Sequence, residues 1–556
     1  MARRHGWLGL AVFVGVLLLP ALAAAQVMTF EPEEPGQQEG GEAMTFGVGP
    51  ETTGEQPPPP PQGPPSQILA QALRLYEQND FTGAAVQFQH VVEGMGHDEP
   101  ANVQKAEFFL GKCLFRLRFF QAALAVFEEI VKRGNGHIYF RQTLQWLAQL
   151  SRELPEPADI ISLVGRYGDS LDALQEFNNS ETRGLYNELL YMMGRYWYRQ
   201  MEYQKARTFF EQVGDSDEHY VASQFFIGIT YVRERTAEPA ANAFQKIVDM
   251  YKDELFLSDE EERFLNLAYL SMARIYYTTK HYASAMEAWA QIPLASEYWV
   301  DSVFEKSWAY YMVEDFPRAL GNIHTINSPF FENQYYPESV VLKAVIYFTL
   351  CQYDYAQQTV ERFVNEYQPI FDSLTEYLNR YIDNYSFYQF LQQLKEGTAD
   401  VDPKIAGIIN GALSDRTLVR NLDYVKVLEA EEGRLQSMPA GFKSSSVGER
   451  IVQDIGIAKG IAIENAGDLA RRRFERFLQE LQELLNQGTR IEIEILNAVR
   501  GQLSAELQGA QVTNVPGREM EEIDTDSEHM LWPFDGEFWR DELGFYQQPV
   551  VSKCGR

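Results

Sequence analysis

Positive charge is scarce in this chain. Lys and Arg together number 48 against 79 Asp and Glu, which gives a net charge of −31 and an isoelectric point near 4.7. A surface that binds nucleic acid needs clustered cations to meet the phosphates, so this balance argues against a nucleic-acid partner. The excess of acid indicates no enzyme class, and its main effect is to keep a long chain soluble.

Signatures of catalysis are missing as well. The sequence has no HExxH, GxSxG, P-loop or paired CxxC motif, and its eight histidines are scattered. Residues 456–460 have two glycines and a lysine, but they lie in a helical segment without the strand that a phosphate loop needs. The acids at 524–535 have the spacing of a calcium loop, but His529 stands where that loop needs glycine. We therefore expect no enzyme activity, no cofactor and no metal site.

Apolar runs long enough to cross a membrane are absent after residue 25. The first 25 residues have two arginines, an apolar stretch and three alanines before Gln26. This order is typical of a secretory signal peptide, so we expect cleavage after Ala25 and export to the periplasm. An uncleaved anchor helix is the alternative, because the apolar stretch is just long enough to span. Residues 26–65 are rich in Pro, Gly, Gln and Glu, which predicts a disordered linker.

A repeated pattern of small and bulky residues occupies residues 66–366. In its clearest copy, Gly111, Leu114, Phe120, Ala123 and Phe127 keep a helical register on either side of a tight turn, which predicts two packed helices. A wide interval after this copy predicts one further hairpin at 137–168. Seven copies of the pattern are visible, and their small first-helix positions are Ala72, Gly111, Gly194, Gly228, Ala273, Ser307 and Ala344.

The pattern resembles the tetratricopeptide repeat (TPR) family. The resemblance implies an all-α, right-handed α-solenoid, in which small residues let two helices approach and bulky ones fill the remaining space. It also implies a concave groove, built by the first helices, that binds protein segments. Carried over to matching positions, the groove residues are Phe108, Lys112, Phe115, Tyr191, Arg195, Tyr198, Phe225, Arg274, Tyr277, Phe304, Trp308, Tyr311 and Phe348.

Two alternatives to an open groove remain. Aromatic rows at helical spacing are often simply core. The chain's own C-terminal segment, which is acidic and aromatic, also has the composition to fill a groove lined by rings and a few cations.

Two of the three cysteines, Cys113 and Cys351, fall in first helices of distant repeats. A solenoid would hold them farther apart than a disulfide tolerates, so we expect both to be buried apolar residues. Cys554 is the only one that we suspect of reactivity or of pairing between molecules, and a free thiol is the simpler expectation.

Residues 367–515 predict long helices. No proline occurs between Pro439 and Pro516, and apolar residues recur at three and four positions, as in a long amphipathic helix. Gly488 is the candidate position for a break in this helix. Such a helix needs a partner for its apolar face: the helix that starts at Pro403 would give a helical hairpin or coiled-coil-like stalk, and homodimerisation is the alternative.

The last segment, 516–556, begins acidic and then becomes strongly aromatic. So many rings should not remain in water. They either pack back on the chain's own helices or dock on another protein, and the docking candidates are Trp532, Phe534, Phe538 and Trp539.

The sequence as a whole predicts an exported, non-enzymatic scaffold that binds other envelope proteins or peptides. The layout of signal peptide, tether and solenoid is similar to that of envelope repeat proteins, including those of gliding-motility complexes. A glycan- or ligand-binding receptor, or an accessory domain of a cell-wall enzyme, is the alternative function.

Overall fold

The computed structural model describes residues 63–254, 256–331, 335–413, 416–507 and 532–554. They form two compact units: the smaller one holds Gly168–Ala243, and the larger one holds the described residues on either side of it. The expected signal peptide, nearly all of the expected linker and the acidic start of the last segment lie outside the described residues.

Every regular element in the described part of the chain is a helix, so the fold is all-α and TPR-like. Short 3₁₀ helices occupy Gly134–Gly136, Glu156–Ala158, Gly165–Tyr167, Leu171–Phe177, Pro329–Phe331 and Arg540–Glu542. The α-helices are α1 Gln67–Glu77, α2 Phe81–Val92, α3 Pro100–Arg116, α4 Phe120–Arg133, α5 Phe140–Glu153, α6 Ile160–Val164, α7 Arg183–Arg199, α8 Tyr203–Phe210, α9 Tyr220–Arg233, α10 Ala237–Tyr251, α11 Asp259–Thr278, α12 Tyr282–Ala290, α13 Trp299–Met312, α14 Phe316–Ile326, α15 Pro337–Thr349, α16 Tyr353–Arg380, α17 Asn384–Glu396, α18 Pro403–Ala412, α19 Arg416–Ser437, α20 Ala440–Lys443 and α21 Ser446–Leu507.

The small residue of the repeat lies where the two helices of a hairpin come closest. A Cβ added to Gly111 would lie 2.6 Å from the ring of Phe127, and one added to Gly194 would lie 2.5 Å from the ring of Phe210. The ring therefore occupies the volume that a side chain would need. Both rings are fully buried, and each contributes roughly 1.5–3 kcal/mol through its removal from water.

All seven predicted hairpins turn with the same backbone conformation. The residue two positions before each second helix has a φ between 55° and 65°, and the N–H of the next residue donates to the carbonyl five positions earlier, as in Phe119 to Leu114 at 2.9 Å. This is the Schellman ending of a helix. None of the seven left-handed residues is glycine: they are Asn79, Arg118, Met201, Arg235, Lys280, Glu314 and Cys351.

The long C-terminal helix is unbroken. α21 has 62 residues and continues through Gly488, where the possible break does not form. A glycine costs a helix interior only about 1 kcal/mol, and Gly488 lies against the buried ring of Phe363, so packing offsets that cost. Likewise α16 continues through Pro369 to Arg380, so the domain boundary predicted at 366 falls inside a helix.

The predicted partner of the long helix is present. The segment that begins at Pro403 forms two helices, α18 and α19, and α19 packs against α21. Lys459 of α21 pairs with Glu432 at 2.9 Å and with Glu429 at 3.3 Å. α21 also packs on α2, α4, α15, α16 and α17, so it holds early and late hairpins of the larger unit together.

The C-terminal helices also cap an early hairpin. Glu431 of α19 is buried, and its Oε1 accepts a hydrogen bond from the backbone N–H of Gln121, at the start of α4, at 3.0 Å. The Tyr424 hydroxyl donates to the Gln121 side chain at 2.6 Å. Carboxylates stabilise helix N-termini because the first N–H groups have no partner in the helix.

Candidate interaction surface

The predicted groove residues are mostly interior. Six are half-buried: Lys112, Phe115, Tyr191, Arg195, Tyr311 and Phe348. Seven have 9% or less of their surface exposed: Phe108, Tyr198, Phe225, Arg274, Tyr277, Phe304 and Trp308. Core residues and groove residues recur with the same helical period and lie on the inner side of a first helix. In this structure, the bulky predicted groove residues pack between hairpins.

Two of the predicted basic groove points contact the chain itself. The Lys112 ammonium lies 4.4 Å from the centroid of the Phe109 ring and 5.0 Å from that of Tyr76. Arg274 forms a buried ion pair with Glu305, whose Oε2 also accepts from the Trp289 indole N–H at 3.1 Å. These cations satisfy internal partners, so they do not present free charge for an acidic ligand.

Carboxyl groups lie buried beside this ion pair. The Tyr336 hydroxyl donates to Asp301 at 2.6 Å, yet burial raises the pKa of Asp301 to about 6. Burial, with repulsion from Glu480 and Glu305, raises the pKa of Glu338 to about 8. Near neutral pH, Glu338 is therefore mostly protonated, whereas Asp301 stays mostly ionised.

The aromatic C-terminal segment returns to the hairpins of α13–α16. We call residues 532–554 the strap. Three of its backbone N–H groups donate to the hairpins: Gly544 N–H to Thr325 Oγ1 at 3.1 Å, Gln548 N–H to the Pro317 carbonyl at 3.0 Å, and Lys553 N–H to the Leu350 carbonyl at 2.8 Å. Apart from one short 3₁₀ turn, the strap has no regular secondary structure.

Gly321 makes the crossing of the strap over α14 possible. A Cβ on this helical glycine would coincide with the carbonyl of Tyr546, so the backbone of the strap occupies the place of a side chain. Gly321 is buried as a result. Any other residue at this position would force the strap away from the helix.

A histidine of α14 anchors three rings of the strap. The centroid of the His324 ring lies 4.8 Å from that of Phe538, in a stacked geometry, and 4.7 and 5.1 Å from those of Phe534 and Tyr546, in edge geometry. Burial lowers the pKa of His324, which favours the neutral ring among these aromatic side chains.

A disulfide fixes the end of the strap. Cys351, the left-handed turn residue before α16, is bonded to Cys554, with a Cα–Cα distance of 5.0 Å. The expectation of a free Cys554 thiol and an unpaired Cys351 is therefore wrong. The solenoid argument excluded only a bond between Cys113 and Cys351, and it did not foresee that the chain returns 203 residues later. Cys113 is buried and free, as expected.

The outer side of the strap remains in solvent. Trp532, Phe534, Trp539 and Phe545 are between 46% and 69% exposed, whereas Leu543 is 4% exposed. One of the two outcomes expected for this segment is therefore seen, because one side packs on the chain's own helices; docking of the exposed side on another protein stays a prediction. This exposed outer side is our candidate interaction surface.

Spanning helices and clusters of metal ligands were sought among the described residues. None of the described helices is long and apolar enough to cross a bilayer. Among the same residues, no three His, Cys, Asp or Glu side chains are grouped so that they could hold a metal ion.

No protein-family model and no curated protein matches the chain. It is similar to solved helical-repeat structures: a TPR protein from Parabacteroides merdae (13% identity, 54% of this chain and 91% of that one, TM-score 0.24), the apo form of RapI (12%, 66% and 98%, 0.32) and the apo form of the quorum sensor NprR from B. thuringiensis (15%, 70% and 97%, 0.26). The TPR-like assignment rests on the chain's own hairpins rather than on these superpositions.

Proposed function

We propose that this protein is a non-enzymatic scaffold of the bacterial envelope that binds protein partners on the outer side of its strap. One observation carries the proposal: four large aromatic side chains are exposed on a segment that a disulfide and backbone hydrogen bonds hold in place. Exposed aromatic side chains that are held rigidly are typical of interaction sites.

Export is the second part of the proposal. It is supported by the signal-peptide pattern of residues 1–25 and by the Cys351–Cys554 bond, because disulfides persist in the periplasm and are rare in the cytosol. Cell fractionation with thiol alkylation tests it. We expect the full chain in the periplasmic fraction with one alkylated cysteine, and a variant lacking residues 2–25 in the cytosol with three. Full-length protein with three alkylated cysteines in the cytosol would contradict export.

Partner binding is tested by crosslinking in living cells followed by capture of the mature chain. The Trp532→Ala/Trp539→Ala variant should lose its specific partners, because both indoles are exposed on the strap. Phe256→Ala is the matched control, since Phe256 is 92% exposed and lies outside the strap. If the double variant keeps the partners of the wild type, the strap is not the binding surface.

The same double variant separates the scaffold from the glycan receptor. Loss of peptidoglycan binding with unchanged protein partners would favour the receptor, because tryptophans also stack on sugar rings. We expect loss of the protein partners and no change in peptidoglycan binding.

Gliding motility is the most specific form of the proposal. It is supported only by the layout of the chain, in which a signal peptide and a tether precede a repeat domain with a docking surface. An in-frame deletion in the source bacterium is the test: slower or absent gliding with normal growth is expected. Normal gliding would limit the proposal to another envelope process.

A further inference from the structure

The strap carries a net negative charge among its exposed rings. Residues 532–546 have four carboxylates, Asp535, Glu537, Asp541 and Glu542, and a single cation, Arg540, so their net charge is 1 − 4 = −3. The carboxylates lie between Phe534 and Phe545 in the sequence, and none is buried. A ligand that covers the rings must therefore meet negative charge.

The negative charge of the strap favours one class of partner over the others that could bind an exposed aromatic patch. A second copy of the chain would bring its own acidic surface, since each chain carries a net charge of −31, and like charges oppose such an interface. Anionic lipid headgroups would be repelled for the same reason. A basic segment, in contrast, gains both ion pairs with the carboxylates and cation–π contacts with the indole and phenyl faces.

The strap is also rigid enough to select a ligand. Leu543 is buried, the Gly544 N–H is bonded to Thr325, and Cys554 is bonded covalently to the turn before α16. The rings Phe534 and Phe538 contact each other and His324. Little conformational entropy is then left to lose at the surface on binding, which favours affinity.

We propose that the strap binds a basic, extended segment of a partner protein, with Lys or Arg side chains placed over Trp532 and Trp539. This inference rests on the proposed scaffold function, and it adds the chemistry of the partner.

The experiment uses the oxidised mature chain and three labelled peptides of equal length and apolar content that carry positive, zero or negative net charge. Fluorescence anisotropy should show that the basic peptide binds at least about tenfold more tightly than the neutral one. The acidic peptide should not bind. Added NaCl should weaken binding of the basic peptide, because salt screens exposed charges. Equal affinity for all three peptides would overturn the proposal.

Two variants locate the site. Trp532→Ala/Trp539→Ala should lower the affinity for the basic peptide about tenfold. Asp535→Asn/Asp541→Asn/Glu542→Gln should also lower this affinity, and it should reduce the dependence of the affinity on salt. Phe256→Ala is the control for an exposed ring elsewhere and should leave binding unchanged. These side chains are all at the surface, so circular dichroism and melting temperature should match the wild type. Binding that neither variant changes would overturn the proposal.

The failure of this inference can be told apart from the failure of the scaffold function. If the tryptophan variant loses its cellular partner but the peptides show no preference for positive charge, the strap binds a partner of other chemistry and only the inference fails. Sedimentation equilibrium that shows a strap-dependent dimer, or binding to vesicles containing phosphatidylglycerol, would also overturn it in favour of a second copy or a membrane.

Discussion

The long helix α21 and the strap both follow the solenoid, and they are held to it in opposite ways. α21 presents a continuous apolar stripe, with Phe474, Leu481 and Ile455 almost fully buried, and its backbone hydrogen bonds are internal. The strap exposes four of its six rings. It is held by backbone hydrogen bonds, by ring contacts with His324 and by one disulfide. The first attachment is encoded in side-chain periodicity, whereas the second depends on where backbone groups meet.

The largest expected effect comes from truncating the stripe of the long helix. Phe474→Ala should lower the free energy of unfolding by about 3–5 kcal/mol, because a buried ring is lost and a cavity remains. Ile461→Ala, at an exposed position of the same helix, should change it by less than about 0.5 kcal/mol. Urea denaturation of the mature chain measures both. A similar small effect for both variants would mean that the stripe does not hold the helix.

Removal of the disulfide tests the strap next. Cys554→Ser should lower the free energy of unfolding by roughly 2–4 kcal/mol, since the bond restricts the unfolded chain over a long loop. It should also speed hydrogen exchange of the Gly544 and Gln548 amides while leaving α21 protected. A reducing agent should reproduce this in the wild type and have no further effect on the variant. If reduction leaves exchange of the strap unchanged, backbone contacts alone hold it.

Gly321→Ala separates the strap from the helix beneath it. The added methyl group collides with the Tyr546 carbonyl, so the strap amides should exchange faster, although alanine favours helix α14 itself by up to about 1 kcal/mol. Gly460→Ala is the control, because a Cβ there meets nothing within 4 Å. It should only stabilise α21. Unchanged exchange at Gly544 in the Gly321 variant would show that the crossing can shift without loss.

The smallest expected effect concerns the buried carboxyl of α15. The pKa of Glu338 is raised from 4.5 to about 8, so the folded chain binds this proton more tightly than the unfolded chain. Stability should therefore fall as pH rises from about 4.5 to about 8. Glu338→Gln removes this dependence and should have a larger free energy of unfolding than the wild type at pH 8. The exposed Glu483→Gln serves as control, and equal pH profiles of Glu338→Gln and wild type would contradict the assignment.

The features of the fold that depend on periodicity could be predicted from the sequence. The spacing of Gly111 and Phe127 identified both the hairpin and the contact that packs it. The same spacing could not show whether Trp308 faces a groove or the core, because groove-facing and core-facing residues of a helix recur with the same period. The structure places Trp308 at 3% exposure.

The strap could not be predicted because its contacts have no period. Nothing in the sequence around Gly321 marks it as the place where a distant carbonyl takes the position of a side chain. The pairing of Cys351 with Cys554 depends on the path of the chain between them, which includes α16 to α21. The four docking candidates of the strap were visible as a cluster of rings, but only the structure separates Phe538, against His324, from the exposed Trp532 and Trp539.

The covalent bond at the last hairpin turn changes how the chain would respond to mechanical load. A pulling force applied on the outer side of Cys351 and of Cys554 passes directly through the two sulfur atoms. The segment between them, including α21, is then bypassed and carries no tension. Under such a force, the hairpins that precede Cys351 would extend first, while the segment closed by the disulfide is shielded from the load.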